Sequence, residues 1–425
     1  IIDQALPDSW FGQPIQIVAI DQAKALGGWL ALTEPIRGGV GDGATGLWQS
    51  LAAWSINGVL LGVLWLAAIR MLAPRRVVPA PWLPLVALGV IAALAYATFW
   101  TYFAHPTAGI AVSFLILLGG FAGCWRTATP DPETAAETGA VARLMLLIGL
   151  FYLALLHLLP SSLDFYHLAA NRFRSGLPTD NELPHEVASR LYAAEPLRRA
   201  DADWLSSDRP PLQSGWQLLT WPVLAQLEIA PRPASGTASL WLQLGWVAAA
   251  YGLLRALRLS SRRATAWIAV IATSGFFLQN TTFTWPKLSA AALACGAFGL
   301  WVLPPPETRG RRAIFIGAAL GALAWLSHGG VAFSFLALTP WILWRCRRGE
   351  WREWLLAALL FGLIAAPWLA YQKFYDPPGN RLLKWHLGGQ IPKDARGTWQ
   401  TIRENYAAQS WREIWANKRL NLEMQ

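Results

Sequence analysis

The chain has 425 residues, of which 54% are hydrophobic and only 14% are charged. Soluble domains carry about 25% charged residues, so this chain has too few charges to cover the two or three soluble domains that its length would otherwise suggest. The composition excludes a disordered chain, a disulfide-rich scaffold and an ordinary cytosolic enzyme. The composition instead predicts an all-α polytopic membrane protein. Its formal net charge is +10.

Runs of about 20 mostly apolar residues predict transmembrane helices. Ten such runs occur, at 47–72, 80–104, 107–126, 142–160, 238–257, 265–280, 285–303, 313–327, 330–345 and 353–371. An eleventh stretch, 212–229, is shorter and carries Trp221-Pro222 in its middle. The three cysteines form no metal-binding spacing and are expected to be buried free thiols.

The arginines orient these spans. Five short turns hold sixteen arginines, whereas the alternate turns near His105, Asn280 and His328 hold almost none. Because positively charged turns remain on the cytoplasmic side of a membrane, the five turns are predicted to lie inside. The alternation holds only if 212–229 does not cross, so this stretch is predicted to be a re-entrant or interfacial helix at the outer surface. The sixteen are Arg70, Arg75, Arg76, Arg126, Arg143, Arg255, Arg258, Arg262, Arg263, Arg309, Arg311, Arg312, Arg345, Arg347, Arg348 and Arg352.

This topology divides the chain into five parts. They are an outer N-terminal segment (1–46), four spans (47–160), an outer loop with surface helices (161–236), six further spans (237–371) and an outer helical segment (372–425). The first segment holds five acids and two bases, which predicts that an outward-going span precedes it. The last segment repeats aromatic residues at helical spacing and is predicted to be a membrane-surface helix whose chain continues further.

The outer loop begins with an acidic residue, Asp164, a few positions beyond a predicted span. A carboxylate at the mouth of a cavity between helices can act as a base on a hydroxyl, because partial desolvation raises its pKa toward the useful range. In the alternative interpretation, Ser162 or Asp164 caps a helix that begins at Phe165. The residues alone leave both interpretations open.

The loop closes with Ser207-Asp208-Arg209-Pro210-Pro211-Leu212. Paired prolines hold the backbone before the next helix in an extended conformation. This segment either directs that helix along the surface or is a rigid turn without a chemical role. Arginine side chains in the loop suit phosphate or carboxylate ligands. The stretch 161–236 nevertheless holds seven bases and nine acids, so a solvated, balanced surface is the alternative.

The order of these elements resembles the GT-C superfamily of membrane glycosyltransferases, in particular bacterial lipid-linked sugar transferases related to the aminoarabinose and protein-mannosyl transferases. An outer acid follows a span, then come the loop, "D-R-P-P-L", a surface helix, a span ending in "RALRLSSRRA", an outward span and "T-W-P-K-L". The family has a first-loop Asp, a "H-P-P-L"-like element and a "Y-P-E"-like element in corresponding places. The resemblance covers roughly residues 142–303.

The resemblance implies transfer of a sugar from a polyprenyl-phosphate carrier to an acceptor on the outer face of the bacterial inner membrane, with inversion at the anomeric carbon. It implies that Asp164 is the general base or orients the acceptor. Basic side chains would hold the departing phosphate, and the substrate site would comprise Tyr166, His167, Arg172, Asp208, Arg209, Lys287, His328, Arg381 and Lys384. No metal or other cofactor is predicted, since no nucleotide-binding or zinc-hydrolase motif occurs. The expected partners are the lipid-linked sugar, membrane lipids and a membrane protein docked on the outer segments; nucleic acid is not expected.

Two alternatives remain. A non-catalytic membrane subunit on a degenerate glycosyltransferase-like scaffold is favoured by Phe165, which stands where the family has Glu, and by Lys287, which replaces the acid of "Y-P-E". A transporter or flippase is disfavoured, because the spans hold few charges and no inverted repeat is evident.

Overall fold

The computed structural model describes residues 43–126, 129–159, 161, 163–173, 176–198, 205–303, 310–390, 392 and 394–423. Helices make up 82% of the structure, and the described residues contain no strand, so the all-α prediction is confirmed. Most of the predicted N-terminal segment lies outside the described residues.

Eighteen helices are described, numbered in chain order. They are α1 Gly43–Leu72, α2 Leu83–Ala104, α3 Pro106–Arg126, α4 Pro132–Leu156, α5 Phe165–Asn171, α6 Leu183–Tyr192, α7 Leu212–Gln226, α8 Pro231–Gln243, α9 Gly245–Ala256, α10 Ser261–Ala272, α11 Gly275–Thr282, α12 Lys287–Val302, α13 Arg311–Ser327, α14 Val331–Arg345, α15 Trp351–Ala370, α16 Arg381–Gly388, α17 Thr398–Ala407 and α18 Trp411–Glu423.

Five helical stretches among the described residues are long and apolar enough to cross a membrane. They are Gly46–Arg75, Ala80–Ala104, Pro106–Arg126, Pro132–Leu156 and Val331–Tyr375. The last comprises α14 and α15, which meet at Gly349, where φ is 100°. Ring contacts between Phe335 and Phe361 and between Trp341 and Trp354 show that these two helices run antiparallel. The long apolar helices fit a membrane protein, but the predicted count of ten spans is not confirmed.

The remaining predicted spans are shorter or interrupted helices. The stretch 238–257 falls on α8 and α9, which meet at Leu244, and 265–280 falls on α10 and α11. Ser274 lies between α10 and α11, and its Oγ accepts a hydrogen bond from the N–H of Phe277, so it caps a new helix inside the apolar run. A hydropathy average along the sequence predicts one span here in place of two short helices, because hydropathy does not detect a capping residue.

The interfacial alternative for 212–229, a helix that lies on the outer surface, is wrong. The re-entrant alternative stays a prediction. Residues 212–222, the first three turns of α7, are buried, and the helix packs against α2, α6 and α8. Gly215 allows the close crossing with α2, because a Cβ atom there would lie 2.1 Å from the carbonyl oxygen of Ala95. Three polar side chains of α7, those of Gln213, Gln217 and Thr220, make hydrogen bonds inside the protein.

These polar residues join α7 to α8 and α1. The Nε2 groups of Gln213 and Gln217 donate to Ser239 Oγ on α8 at 3.1 and 2.8 Å. Thr220 Oγ1 donates to Asn57 Oδ1 on α1 at 2.6 Å. Buried hydrogen bonds of this kind are costly to leave unmade, so the network fixes α7 at one position in the bundle.

The turns rich in arginine gather at one end of the bundle, which we call the arginine end. Arg312 Nη1 lies 3.4 Å from the carbonyl oxygen of Arg75, and Arg311 pairs with Glu353 at 3.0 Å. At the other end, the loop end, are α5, α6 and the segment 205–211. Arg309 lies outside the described residues, and the membrane side that each end faces stays a prediction.

Candidate functional site at the loop end

Asp164 is the N-cap of α5. Its Oδ1 accepts hydrogen bonds from the backbone N–H of Tyr166 at 3.0 Å and of His167 at 3.2 Å. A carboxylate at this position satisfies donors that a helix leaves free at its N-terminus. The capping interpretation of Asp164 is therefore confirmed, and Ser162 lies outside the described residues.

The other oxygen of Asp164 belongs to a cluster of charged side chains, which we call the Asp164 cluster: Asp164, His167, Glu182 and Arg232. Asp164 Oδ2 lies 2.7 Å from His167 Nδ1 and 2.8 Å from Arg232 Nη1. The same Arg232 nitrogen donates to Glu182 Oε1 at 2.9 Å. Arg232, near the start of α8, thus bridges two carboxylates that come from different parts of the loop.

These contacts determine the charge of the Asp164 cluster. Burial alone would raise the pKa of Asp164, but the hydrogen bond with His167 and the charge of Arg232 outweigh it and lower the pKa to about 2. The hydrogen bond to Asp164 in turn raises the pKa of His167 above its ordinary value. Asp164 is therefore an ionised carboxylate with both oxygens engaged, which suits orientation of neighbouring groups better than proton abstraction.

The raised pKa of His167 predicts that folding stability decreases as the pH rises through that pKa. The folded protein holds this proton more tightly than the unfolded chain, so the stabilisation is complete below 6.5, the ordinary pKa, and is lost above the folded-state pKa. Thermal unfolding of the detergent-solubilised protein across this range should show the decrease. His167→Gln should remove it, and an identical slope in that variant would contradict the assignment.

Three members of the Asp164 cluster have the composition of a metal site. One ligand atom from each of Asp164, His167 and Glu182 lies within 4.8 Å of the others. The guanidinium of Arg232 already places a positive charge against both carboxylates, so a metal ion would compete with it. The members of this set stand apart in the chain, so only the fold brings their ligand atoms together.

A second group, the Trp285 cluster, brings together three of the predicted substrate residues around one indole ring. Lys287 Nζ lies 3.9 Å from the centre of the Trp285 ring, and Arg209 Cζ lies 5.5 Å from it. The centres of the His328 and Trp285 rings are 6.4 Å apart. The three side chains come from the 205–211 segment, the start of α12 and the turn between α13 and α14, so tertiary folding alone unites them.

The Trp285 cluster is positively charged and offers hydrogen-bond donors. Burial, with the charges of Lys287 and Arg209 added, lowers the pKa of His328 to about 4. The backbone N–H of Gly330 donates to His328 Nδ1 at 3.1 Å. A neutral imidazole that accepts at Nδ1 carries its proton on Nε2, so His328 presents a neutral donor beside two cations. Such a set suits an anionic oxygen ligand.

Asp208 and Arg381 form a buried pair beside this cluster. Arg381 Nη1 lies 3.9 Å from Asp208 Oδ2, and the two side chains are 3% and 0% exposed. Burial raises the pKa of Asp208 to about 6. The nearby Asp376 Oδ2 accepts hydrogen bonds from Ser206 Oγ at 2.7 Å and from the Ser207 N–H at 3.0 Å. The segment after α15 therefore covers the 205–211 segment, as an outer segment would cover a site.

Three predicted substrate residues have other positions. Arg172 donates to the carbonyl oxygens of Leu156 and Leu159 at 2.9 and 2.7 Å, at the end of α4. Lys384 Nζ donates to two backbone carbonyls, at 2.8 and 2.6 Å, in the segment that follows α16. Tyr166 is buried, and its hydroxyl donates to Ser235 Oγ at 2.9 Å. The positive groups of Arg172 and Lys384 satisfy carbonyl groups that would otherwise lack donors.

The two clusters share one short segment. Asp180 Oδ2 accepts from Arg209 Nη2 at 3.0 Å, whereas Glu182, two residues later, binds Arg232. Asn181 Nδ2 lies between them in sequence and donates to the carbonyl oxygen of Tyr166 at 3.1 Å. The loop end therefore presents the Asp164 cluster and the Trp285 cluster on either side of residues 180–182.

No family model, curated protein or solved structure matches this chain. The class of the protein is defined by its own structure, as an all-helical chain whose long apolar helices fit a membrane protein.

Proposed function

We propose that the protein is a GT-C type membrane glycosyltransferase of the bacterial inner membrane. It moves a sugar from a polyprenyl-phosphate carrier to an acceptor on the outer face, with inversion, and its loop end faces outward. The observation that carries this proposal is the convergence of Arg209, Lys287 and His328 on Trp285. This combination of positive charge, neutral donor and flat aromatic surface suits a phosphate and the sugar attached to it.

The cluster supplies what the departure of a lipid phosphate requires. A bond forms between the acceptor oxygen and the anomeric carbon, while the bond from that carbon to the phosphate oxygen breaks and leaves its electron pair on the phosphate. The proton that the acceptor hydroxyl loses passes to the departing phosphate. Arg209 and Lys287 offset the developing negative charge, and His328 Nε2–H donates to a phosphate oxygen. Preorganised groups of this kind lower a transition-state barrier because they need no reorganisation during the reaction.

Asp164 takes the second of the two roles that the resemblance implies, the orientation of the acceptor. Both of its oxygens are engaged, by the α5 N–H groups and by His167 and Arg232. In this proposal Asp164 holds His167 and Arg232 in fixed positions at the outer mouth of the bundle.

The engagement of Asp164 also favours a second candidate function, a non-catalytic membrane subunit on the same scaffold. Such a subunit would have no need of a free carboxylate and would associate with a membrane protein partner. The two candidates differ in ligand binding, because only the enzyme requires a carrier phosphate at the Trp285 cluster.

Affinity for polyprenyl phosphate tests the proposal. Lys287→Ala is expected to lower this affinity about tenfold or more, because it removes one charge-assisted contact. Lys287→Arg should retain most of it. Binding of undecaprenyl phosphate and of the neutral undecaprenol to the detergent-solubilised protein can be compared by native mass spectrometry.

The matched control is Lys418→Ala, which removes a lysine from α18 outside the cluster and should leave the affinity unchanged. Equal affinity for the phosphate and the neutral alcohol would contradict the proposal. If Lys287→Ala binds undecaprenyl phosphate as tightly as the unchanged protein, the Trp285 cluster is not the phosphate site.

A further inference from the structure

A groove of about 920 Å³ opens at the arginine end of the bundle, away from the Trp285 cluster. Its walls are the end of α1 with the turn that follows, the start of α4, the end of α12 and the first turn of α13. Three arginines line it, Arg76, Arg311 and Arg312. No step of the proposed transfer reaction uses this groove.

The groove combines positive charge with an apolar wall. The apolar residues on its surface include Leu72, Val77, Val78, Leu83 and Leu300. Two acids also line it, Asp131 and Glu133. The Asp131 carboxylate is occupied as the cap of α4, since it accepts from Thr134 N at 3.0 Å and from Thr134 Oγ1 at 2.9 Å. Arg311 pairs with Glu353 at 3.0 Å, so Arg76 and Arg312 are the groove arginines that pair with no carboxylate among the described residues.

The first turn of α13 adds backbone donors to this charge. Residues 310–313 line the groove, and no side chain in the described part of the chain caps the N-terminus of α13. The free N–H groups and the helix dipole favour an anion at such an end. Arg76 lies on the α1 side of the groove in a left-handed backbone conformation, with φ of 45°. Its backbone N–H donates a hydrogen bond to the carbonyl oxygen of Ala73 at 3.0 Å, which stabilises this conformation.

We propose that this groove binds the phosphate group of an anionic membrane phospholipid. The guanidiniums of Arg76 and Arg312 and the α13 N–H groups would contact the phosphate, and the apolar wall would contact the glycerol and the upper acyl chains. A lipid fits better than free phosphate because the groove lies where the membrane-length helix Gly46–Arg75 ends, which is headgroup depth. Basic pockets between transmembrane helices bind anionic headgroups in this manner.

Lipid retention tests this inference on the full-length chain. The detergent-solubilised protein is equilibrated with an equal mixture of phosphatidylglycerol and phosphatidylcholine, and bound lipid is counted by native mass spectrometry. The protein should retain phosphatidylglycerol preferentially. Arg76→Gln should lower that retention about fivefold, and Arg76→Gln with Arg312→Gln should lower it about 25-fold.

The control is Arg347→Gln with Arg348→Gln, which removes two exposed arginines at the same end that do not line the groove. It should leave retention unchanged. Equal retention of the two lipids, or an equal loss in the control, would overturn the inference. Displacement of the lipid by inorganic phosphate at a similar concentration would assign the site to free phosphate and overturn the lipid assignment. Binding of undecaprenyl phosphate by the Trp285 cluster should be unaffected by these variants, so the two proposals fail separately.

Discussion

Replacement of Arg209 by methionine is expected to cost about 3 kcal/mol of folding free energy and to abolish measurable binding of polyprenyl phosphate. Arg209 and Asp180 are only 8% and 17% exposed, and their charged atoms lie 3.0 Å apart. Removal of the guanidinium leaves the Asp180 carboxylate without its cation in a poorly hydrated site. The loss should appear in unfolding of the detergent-solubilised protein by a denaturant.

A second substitution separates the two effects of this change. Adding Asp180→Asn to Arg209→Met removes the uncompensated charge, so most of the lost stability should return. Binding of undecaprenyl phosphate should remain lost, because the cation that contacts the phosphate is still absent. Full stability of Arg209→Met alone, or recovery of binding in the double variant, would contradict this assignment.

The close crossing of α7 and α2 predicts a large effect at Gly215. Gly215→Ala should cost about 1–3 kcal/mol, the usual cost of overpacking, because the new methyl group would lie 2.1 Å from the carbonyl oxygen of Ala95. That oxygen belongs to the α2 backbone and cannot rotate away, so α7 must move. Unfolding in a denaturant measures the loss.

Gly62→Ala on α1 is the matched control for Gly215→Ala. Apart from the backbone of its own helix and its chain neighbours, no described residue has an atom within 4 Å of the position that its Cβ would take. Alanine favours a helix over glycine by about 1 kcal/mol, so this variant should be as stable as the unchanged protein or slightly more so. Equal destabilisation by the two substitutions would contradict the crossing.

The long apolar helices α2 and α3 were predictable from the sequence because each is one uninterrupted apolar run. The predicted span 107–126 corresponds to α3, Pro106–Arg126, and 80–104 corresponds to the described stretch Ala80–Ala104. The later spans were less predictable, since capping by Ser274 and the junction at Leu244 divide apolar runs into short helices. Local hydrogen bonds determine these divisions, and hydropathy does not measure them.

The position of α7 could not be predicted because its polar side chains find partners only in the folded bundle. The predicted position of 212–229 rested on charge alternation and did not use Gln213, Gln217 and Thr220. In the structure these residues bind Ser239 and Asn57, which lie on other helices. Charge alternation along the chain predicts that 212–229 does not cross the membrane, but it contains no information on burial.

The site was predictable as a set of residue types and not as an arrangement. Arg209, Lys287 and His328 were candidates from the sequence, and the fold brings them to one indole ring. Arg172 and Lys384 were equally suitable by charge, yet both donate to backbone carbonyls that only the folded chain presents. Arg232 was not a candidate from the sequence, because a count of acids and bases in the loop gives no information on its contacts with two particular carboxylates.

The location of the phosphate of a bound carrier tests the central claim most directly. A structure of the protein determined by electron cryo-microscopy with undecaprenyl phosphate should place the phosphate beside Trp285. Its oxygens should lie about 3 Å from Lys287 Nζ and His328 Nε2, and close to the guanidinium of Arg209. A phosphate bound elsewhere, or a Trp285 cluster left empty at saturating carrier, would contradict the proposed function.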